Sequence, residues 1–236
     1  MNLIKYLIQN GADINAAKET SSGQVFTRAF DFAVYYGNLE MFSAFMEAGV
    51  DINAKTYQGR TPVFYALGAD AQFGRLEERF KIDEKTKRKM INDLLAKNCE
   101  LNIADDYGSS PLMYAIAAED LESVSSMIEN GADVNFKASL SLATKTNNPD
   151  LMDLLFEKGA VIDPENYSSI AFNLSLHFSI PILEKLLAQG FPIDTPNQDL
   201  QTLLHLSVMK NEYDFAKILL ERGARLEQQD VNGKSP

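Results

Sequence analysis

Residues 103–135 read IADDYGSSPLMYAIAAEDLESVSSMIENGADVN. Asp105-Asp106-Tyr107-Gly108 has hairpin-turn chemistry, with Gly108 free to take positive φ. Ser110 then suits an N-cap and Pro111 a first helical residue, where the missing N–H costs nothing. Leu112, Ala115 and Ile116 follow at helical spacing, and Glu119-Asp120 marks a turn. Leu121, Val124, Met127 and Ile128 form the apolar face of a second helix, which Gly131 ends in the left-handed position. The segment is therefore a turn, a short helix, a tight turn, a longer helix and a loop.

Its closing loop, GADVN at 131–135, recurs in altered form along the chain. The other copies are GADIN at 11–15, GVDIN at 49–53, NCELN at 98–102, GAVID at 159–163, GFPID at 190–194 and GARLE at 223–227. Successive copies begin 38, 49, 33, 28, 31 and 33 residues apart. A period in this range means stacked supersecondary units. Such an array works through an extended surface, which disfavours a single catalytic cleft.

On these residues the chain resembles the ankyrin repeat family. Its pattern is roughly D-x-x-G-x-T-P-L-H-x-A-A-x-x-G-N-x-E, then a helix ending L-L-x-x-G-A-D-V-N. Gly59-Arg60-Thr61-Pro62-Val63, Gly108-Ser109-Ser110-Pro111-Leu112, Thr202-Leu203-Leu204-His205-Leu206 and Asp230–Pro236 match its first half. Gly37-Asn38-Leu39-Glu40 matches the turn between helices. The resemblance covers nearly the whole chain and implies an all-α solenoid of stacked helix-turn-helix units with short β-hairpin loops. Small residues at Ala33, Ala66, Ala115, Ala143 and Ser207 would let inner helices stack closely. The Leu94-Leu95, Leu154-Leu155, Leu186-Leu187 and Leu219-Leu220 pairs would supply the shared core from the outer helices.

One array, 1–236, is expected: a half repeat 1–15, full repeats 16–53, 54–102, 103–135, 136–163, 164–194 and 195–227, and the start of another at 228–236. Both ends stop mid-repeat, which suits a fragment of a longer array; degenerate natural capping is the alternative. Unit 136–163 is short, and its hairpin finger is expected to be missing or stunted. Unit 54–102 carries an insertion of about 16 residues by repeat arithmetic. Its stretch 73–90 holds Arg75, Arg79, Lys81, Lys85, Lys87, Arg88 and Lys89 against four carboxylates. That reads as a solvated charged face, or as a specificity insertion for an acidic partner or phosphate.

Composition narrows the function. With 45% hydrophobic and 23% charged residues the chain is an ordinary folded type. A net charge of −11 argues against nucleic-acid binding, which needs a basic stripe, and weakly favours basic partners. No stretch approaches the ~20 apolar residues of a membrane span. The lone cysteine, Cys99, excludes an internal disulfide and points to a reducing compartment. It stands in the alanine place of its loop and reads as a small packed side chain.

Chemistry is sparse. His205 holds the histidine place of the TPLH-type motif, which in the family makes a structural bond between neighbouring loops. His177 has no histidine or cysteine partner and is not a zinc site. Asp13, Asp51, Asp133, Asp163 and Asp194 recur at repeat positions, as residues that satisfy loop backbone donors do. No phosphate loop, HExxH pair or GxSxG elbow occurs. No catalytic residue, metal or cofactor is expected.

The family's ligands usually meet the concave side, made of hairpin tips and inner-helix ends. Carried over, the contact set here is Tyr35, Tyr36, Tyr57, Gln58, Arg60, Asp106, Tyr107 and Ala118. Tyrosines carry most weight, being enriched at interface hot spots. The main contact surface is expected on 25–118. The chain reads as a monomeric, non-enzymatic scaffold for a partner protein, cytoplasmic or otherwise intracellular. The alternative is a targeting or regulatory module of a larger enzyme, or a secreted bacterial effector in the host cytosol.

Overall fold

The computed structural model describes residues 3–19, 25–68 and 82–236. The chain divides into two compact units, 1–115 with 122–133, and 116–121 with 134–236. The fold class is all-α, as expected; the one described ladder is a short antiparallel pair, β1 (Ala17–Glu19) and β2 (Val25–Arg28).

The first unit contains α1 (Leu3–Gln9), the β1–β2 pair, α2 (Ala29–Tyr35), α3 (Leu39–Glu47), α4 (Pro62–Ala66) and α5 (Glu84–Ala96). It also takes in most of α6 (Pro111–Ala117) and α7 (Leu121–Glu129). Local chemistry sets the starts. Asn38 caps α3 by accepting from the Met41 N–H, and Asp83 caps α5 by accepting from Thr86. Pro62 and Pro111 open α4 and α6, where no helical N–H is missed. Helix α2 packs on α3 and α4, and α4 on α5. Phe30 lies at the centre, 5.5 Å from Phe42 and 5.9 Å from Phe45 between ring centroids.

The second unit holds α8 (Ser139–Thr146), α9 (Pro149–Glu157), α10 (Tyr167–Leu174), α11 (Ile180–Ala188), α12 (Leu203–Lys210) and α13 (Tyr213–Glu221). Helix α8 packs on α10 and α9, α9 on α11, and α12 on α13. Where a finger would precede α8 there is only a tight turn. Ser139 donates N–H and hydroxyl to the Phe136 carbonyl, and the helix begins at once.

Ala33, Ala66, Ala115, Ala143 and Ser207 are all buried, so the inner helices can approach closely. The leucine pairs need a correction. Leu94-Leu95 is buried whole, but elsewhere one member of each pair, Leu155, Leu186 or Leu219, fills the core. Leu154 and Leu187 are half-buried and Leu220 is exposed, because adjacent helical positions point about 100° apart. A fully buried leucine contributes on the order of 2 kcal/mol.

In six of its seven copies the recurring loop ends in Asn or Asp, for a reason visible in the structure. Asn15 Oδ1 accepts the Asp51 N–H, Asn53 that of Glu100, and Asn102 that of Asp133. In the second unit Asn135 accepts from Val161 and Asp194 from Arg225. Each side chain thus satisfies a backbone donor in the next loop. Asp163 departs from this row. Pro192 stands at the partner position and has no N–H, and Asp163 accepts from Glu165 within its own loop.

Candidate interaction surface

Two hairpin fingers of the first unit form a joint. Thr56–Arg60 closes on itself through Thr56 N–H to Arg60 O at 2.8 Å, and Asp105–Ser109 through Asp105 N–H to Ser109 O at 2.9 Å. The Asp106 N–H then donates to Gln58 O at 2.9 Å, joining the fingers. This approach requires Gly59. A Cβ there would stand 2.7 Å from Asp106 Oδ1 and 3.3 Å from its nitrogen, on a backbone with φ +68°.

Arg60 clamps the joint from inside. Its Nε lies 3.3 Å from Asp105 Oδ2 and its Nη2 donates to the Tyr114 hydroxyl at 2.7 Å. Tyr114 in turn donates to Asp105 Oδ2 at 2.7 Å. Asp105 Oδ1 accepts the N–H groups of Tyr107 and Ser109. Burial alone would raise the Asp105 pKa. The bonds from Tyr114, Ser109, Tyr107 and Arg60 outweigh it and hold the carboxyl below its usual range. Burial and the Asp105 carboxylate raise the Tyr114 phenol.

Tyr107 stands on this base, 67% exposed. The Arg60 guanidinium lies 5.7 Å from its ring centroid, and Gln58 Nε2 donates to its hydroxyl at 2.7 Å. Asp106 beside it is exposed. The ring is an exposed amphipathic group held from two sides, with little rotamer freedom left to it.

The other expected contact residues are placed differently. Arg60, at 5% exposed, is a buried clamp rather than a solvent-facing tip. Tyr35, at 4% exposed, faces the core, while Tyr36 is half-exposed, edge-on to Tyr35 at 5.1 Å and stacked over Phe32 at 6.2 Å. Ala118 is exposed and belongs to residues 116–121 of the second unit. Arg75, Arg79, Lys81 and the Tyr57 side chain lie outside the described residues. Lys85 is exposed on α5; Lys87 lies 3.8 Å from Glu84, Lys89 lies 2.8 Å from Asp93, and Arg88 pairs with Glu122. Much of the helical part of the basic stretch is thus neutralised within the chain. Cys99 is buried, which pushes its thiol pKa up to about 11, far from a reactive thiolate.

A buried pair was not foreseen from the sequence. Arg28 precedes α2 and holds both Asp31 oxygens, Nε to Oδ2 at 3.2 Å and Nη2 to Oδ1 at 2.9 Å, while donating to Asp51 O. Burial raises the Asp31 pKa against the pull of Arg28. Asp31 stands three residues after its helix cap, as His205 stands three after Thr202. That spacing was the available signal.

The second unit has its own finger joint. Asn197–Gln201 and Asp230–Lys234 close like the first pair, and the Val231 N–H donates to Asp199 O at 3.0 Å. Here His205 is the clamp. The Thr202 N–H donates to its Nδ1 at 3.2 Å, so Nε2 carries the proton given to Lys234 O at 3.1 Å. His177, by contrast, is exposed, with Nε2 3.2 Å from Lys145 O.

Comparison with known proteins bears on this geometry. Residues 84–166 match the family description "Ankyrin repeats (3 copies)", residues 30–77 "Ankyrin repeats (many copies)" and residues 199–231 "Ankyrin repeat". Inversin of Mus musculus is 30% identical over 157 residues, 62% of this chain and 15% of inversin. Neurogenic locus notch homolog protein 2 of Homo sapiens is 26% identical over 150 residues, 56% of this chain and 6% of that protein. The chain therefore spans a small part of these relatives. The crystal structure of the human ASB11 ankyrin repeat domain shares the fold, with TM-score 0.69 at 19% identity, covering 89% of this chain and 90% of that one. Among the described residues no helix is long and apolar enough to cross a membrane. With repeat matches in three segments and a shared fold over nearly its whole length, the chain is a member of the ankyrin repeat family.

Proposed function

We propose that this chain is a non-enzymatic interaction module that binds a partner protein through the hairpin and inner-helix surface of its first unit. The observation that carries the reading is Tyr107, largely exposed yet held by Gln58 and clad by Arg60. A rigid, amphipathic aromatic braced by a glutamine and an arginine has the makings of a hot spot. Tyr36, Tyr57, Gln58 and Asp106 are the other contacts in this reading. Arg60 serves it indirectly, by fixing the finger.

The test is affinity capture from the source cell with the wild-type chain, then titration of the captured protein against Tyr36→Ala, Tyr57→Ala and Tyr107→Ala. Each substitution should weaken binding by ~1 kcal/mol or more. Undiminished binding by all three sinks this placement. A second reading, a targeting or regulatory module within a larger protein, is favoured by the relatives, of which the matching segment is only 15% and 6%. Finding the full reading frame separates the two.

A further inference from the structure

Four fingers share one geometry in which the fourth residue donates its N–H to the carbonyl of the first. The pairs are Gly59 to Thr56, Gly108 to Asp105, Leu200 to Asn197 and Gly233 to Asp230. All four have positive φ, at +68°, +81°, +58° and +73°. Three are glycine, the residue for which this backbone carries no Cβ penalty. Leucine there is strained.

Other side chains at positive φ have a visible local reason. Asn98, Asn147 and Asn211 belong to the type that tolerates it. Phe178 packs edge-on against Phe215 at 5.3 Å, Gln58 bonds Tyr107, Glu119 accepts from Asn148, and Lys137 lies over the Phe136 ring. Leu200 instead turns an apolar side chain outward, 48% exposed.

It does not stand alone. The Val231 N–H to Asp199 O bond brings Val231, 56% exposed, beside it. Gln201 Nε2 reaches Met209 Sδ at 3.5 Å, bringing in Met209, 64% exposed. Next to Leu200 the Asp199 carboxylate is exposed and makes no hydrogen bond or ion pair among the described residues. Residues 134–236 carry thirteen carboxylates against nine Lys and Arg, within a chain of −11.

We infer that Leu200 is an anchor in the second unit for a partner segment that sets an apolar side chain beside a lysine or arginine. The apolar group would cover Leu200, Val231 and Met209, and the cation would meet Asp199. Strain retained at a half-exposed apolar side chain points to a contact outside the molecule. The inference rests on the interaction-module reading but uses a surface separate from Tyr107.

The test is an array of immobilised 15-residue peptides probed with the full chain. One set has a Leu/Phe core flanked by Lys and Arg, a second the same core flanked by Asp and Glu, and a third keeps the basic flanks around a Ser/Gly core. The first set should be retained best. Leu200→Gly should lower that retention by about fivefold or more while raising Tm by on the order of 1–4 °C. Asp199→Asn should erode the preference for basic over acidic flanks. Unchanged retention by Leu200→Gly, a preference for the acidic or Ser/Gly set, or a fall in its Tm would overturn the inference, the last because it would show that leucine serves the fold. Failure here leaves the Tyr107 reading standing, since that is titrated with a captured protein on the first unit.

Discussion

The two finger joints solve one backbone problem with different chemistry. In each, an N–H of the later finger donates to a carbonyl of the earlier, Asp106 to Gln58 and Val231 to Asp199. In the second unit a neutral imidazole spans the gap, from the Thr202 N–H to Lys234 O. In the first, Phe64 stands in the histidine place and packs edge-on against Tyr114 at 5.6 Å. Thr61, whose counterpart Thr202 contacts His205, is left with no hydroxyl partner among the described residues. Arg60 supplies the clamp instead, reaching Asp105 and Tyr114. A loop can thus keep its geometry while the side chain that holds it changes place and charge.

The largest effect expected from breaking this comparison lies in the charged joint. Arg60→Ala leaves Asp105 buried without its cation, which should cost about 3–5 kcal/mol by denaturant unfolding. A loss under about 1 kcal/mol would show the joint to be held by its backbone and Tyr114 alone. The pH response has a definite sign. Asp105 has a folded pKa below its unfolded value of about 3.9. Its contribution is present above the unfolded value and is lost as pH falls below 4 through the folded one. Asp105→Asn should flatten that acid limb, measured as Tm against pH.

The glycines come next. Gly59→Ala meets both positive φ and the close Asp106, whereas Gly233→Ala meets positive φ with nothing within 4 Å of the added Cβ. Gly233→Ala should cost about 1–2 kcal/mol, the left-handed penalty alone. Gly59→Ala should cost about 1 kcal/mol more if the aspartate must shift. Equal losses would mean that the fingers part freely, and that the Asp106 bond adds little.

How much of this was legible in the sequence follows from what each feature depends on. Helices and turns depend on residues close in sequence, and GADVN and Gly37-Asn38 announce them; the histidine clamp, whose acceptor lies 29 residues on, is legible through the family motif at Thr202–His205. Arg60 and Tyr35 are buried where the repeat pattern places them at the surface. Whether a side chain at a finger or a helix end faces water depends on the next unit, and the partner of Arg60 lies 45 residues away. The Asn ladder was half legible. Its periodicity was plain, but that Asn15 serves the Asp51 N–H needs the stacking itself. The loss of that bond at Pro192 is written in the residue type, which has no N–H.

His205→Ala tests the neutral joint. It removes the bond to Lys234 O and leaves the Thr202 N–H without its acceptor, which should cost about 1–3 kcal/mol. His205→Gln, able to donate to the carbonyl, should recover part of it. A loss as large as that of Arg60→Ala would erase the distinction between the joints.

The smallest effect on stability is expected at Tyr107, and smallness is the point. Its ring is mostly in water, so Tyr107→Ala forfeits one exposed hydrogen bond with Gln58 and a cation–π contact seen from one side. Surface contacts of this kind are worth about 0.5–1 kcal/mol. Thermal unfolding should therefore move by only a few degrees, on the order of 1–4 °C, while partner binding falls several-fold. The reverse pattern, a collapse of Tm with binding scaled to the folded fraction, would make Tyr107 a brace of the Arg60 clamp. The Tyr107→Phe substitution separates the parts. It keeps the ring over Arg60 and removes only the hydroxyl that Gln58 holds, so any loss of binding it shows measures the rigidity that bond imparts rather than the area the ring presents.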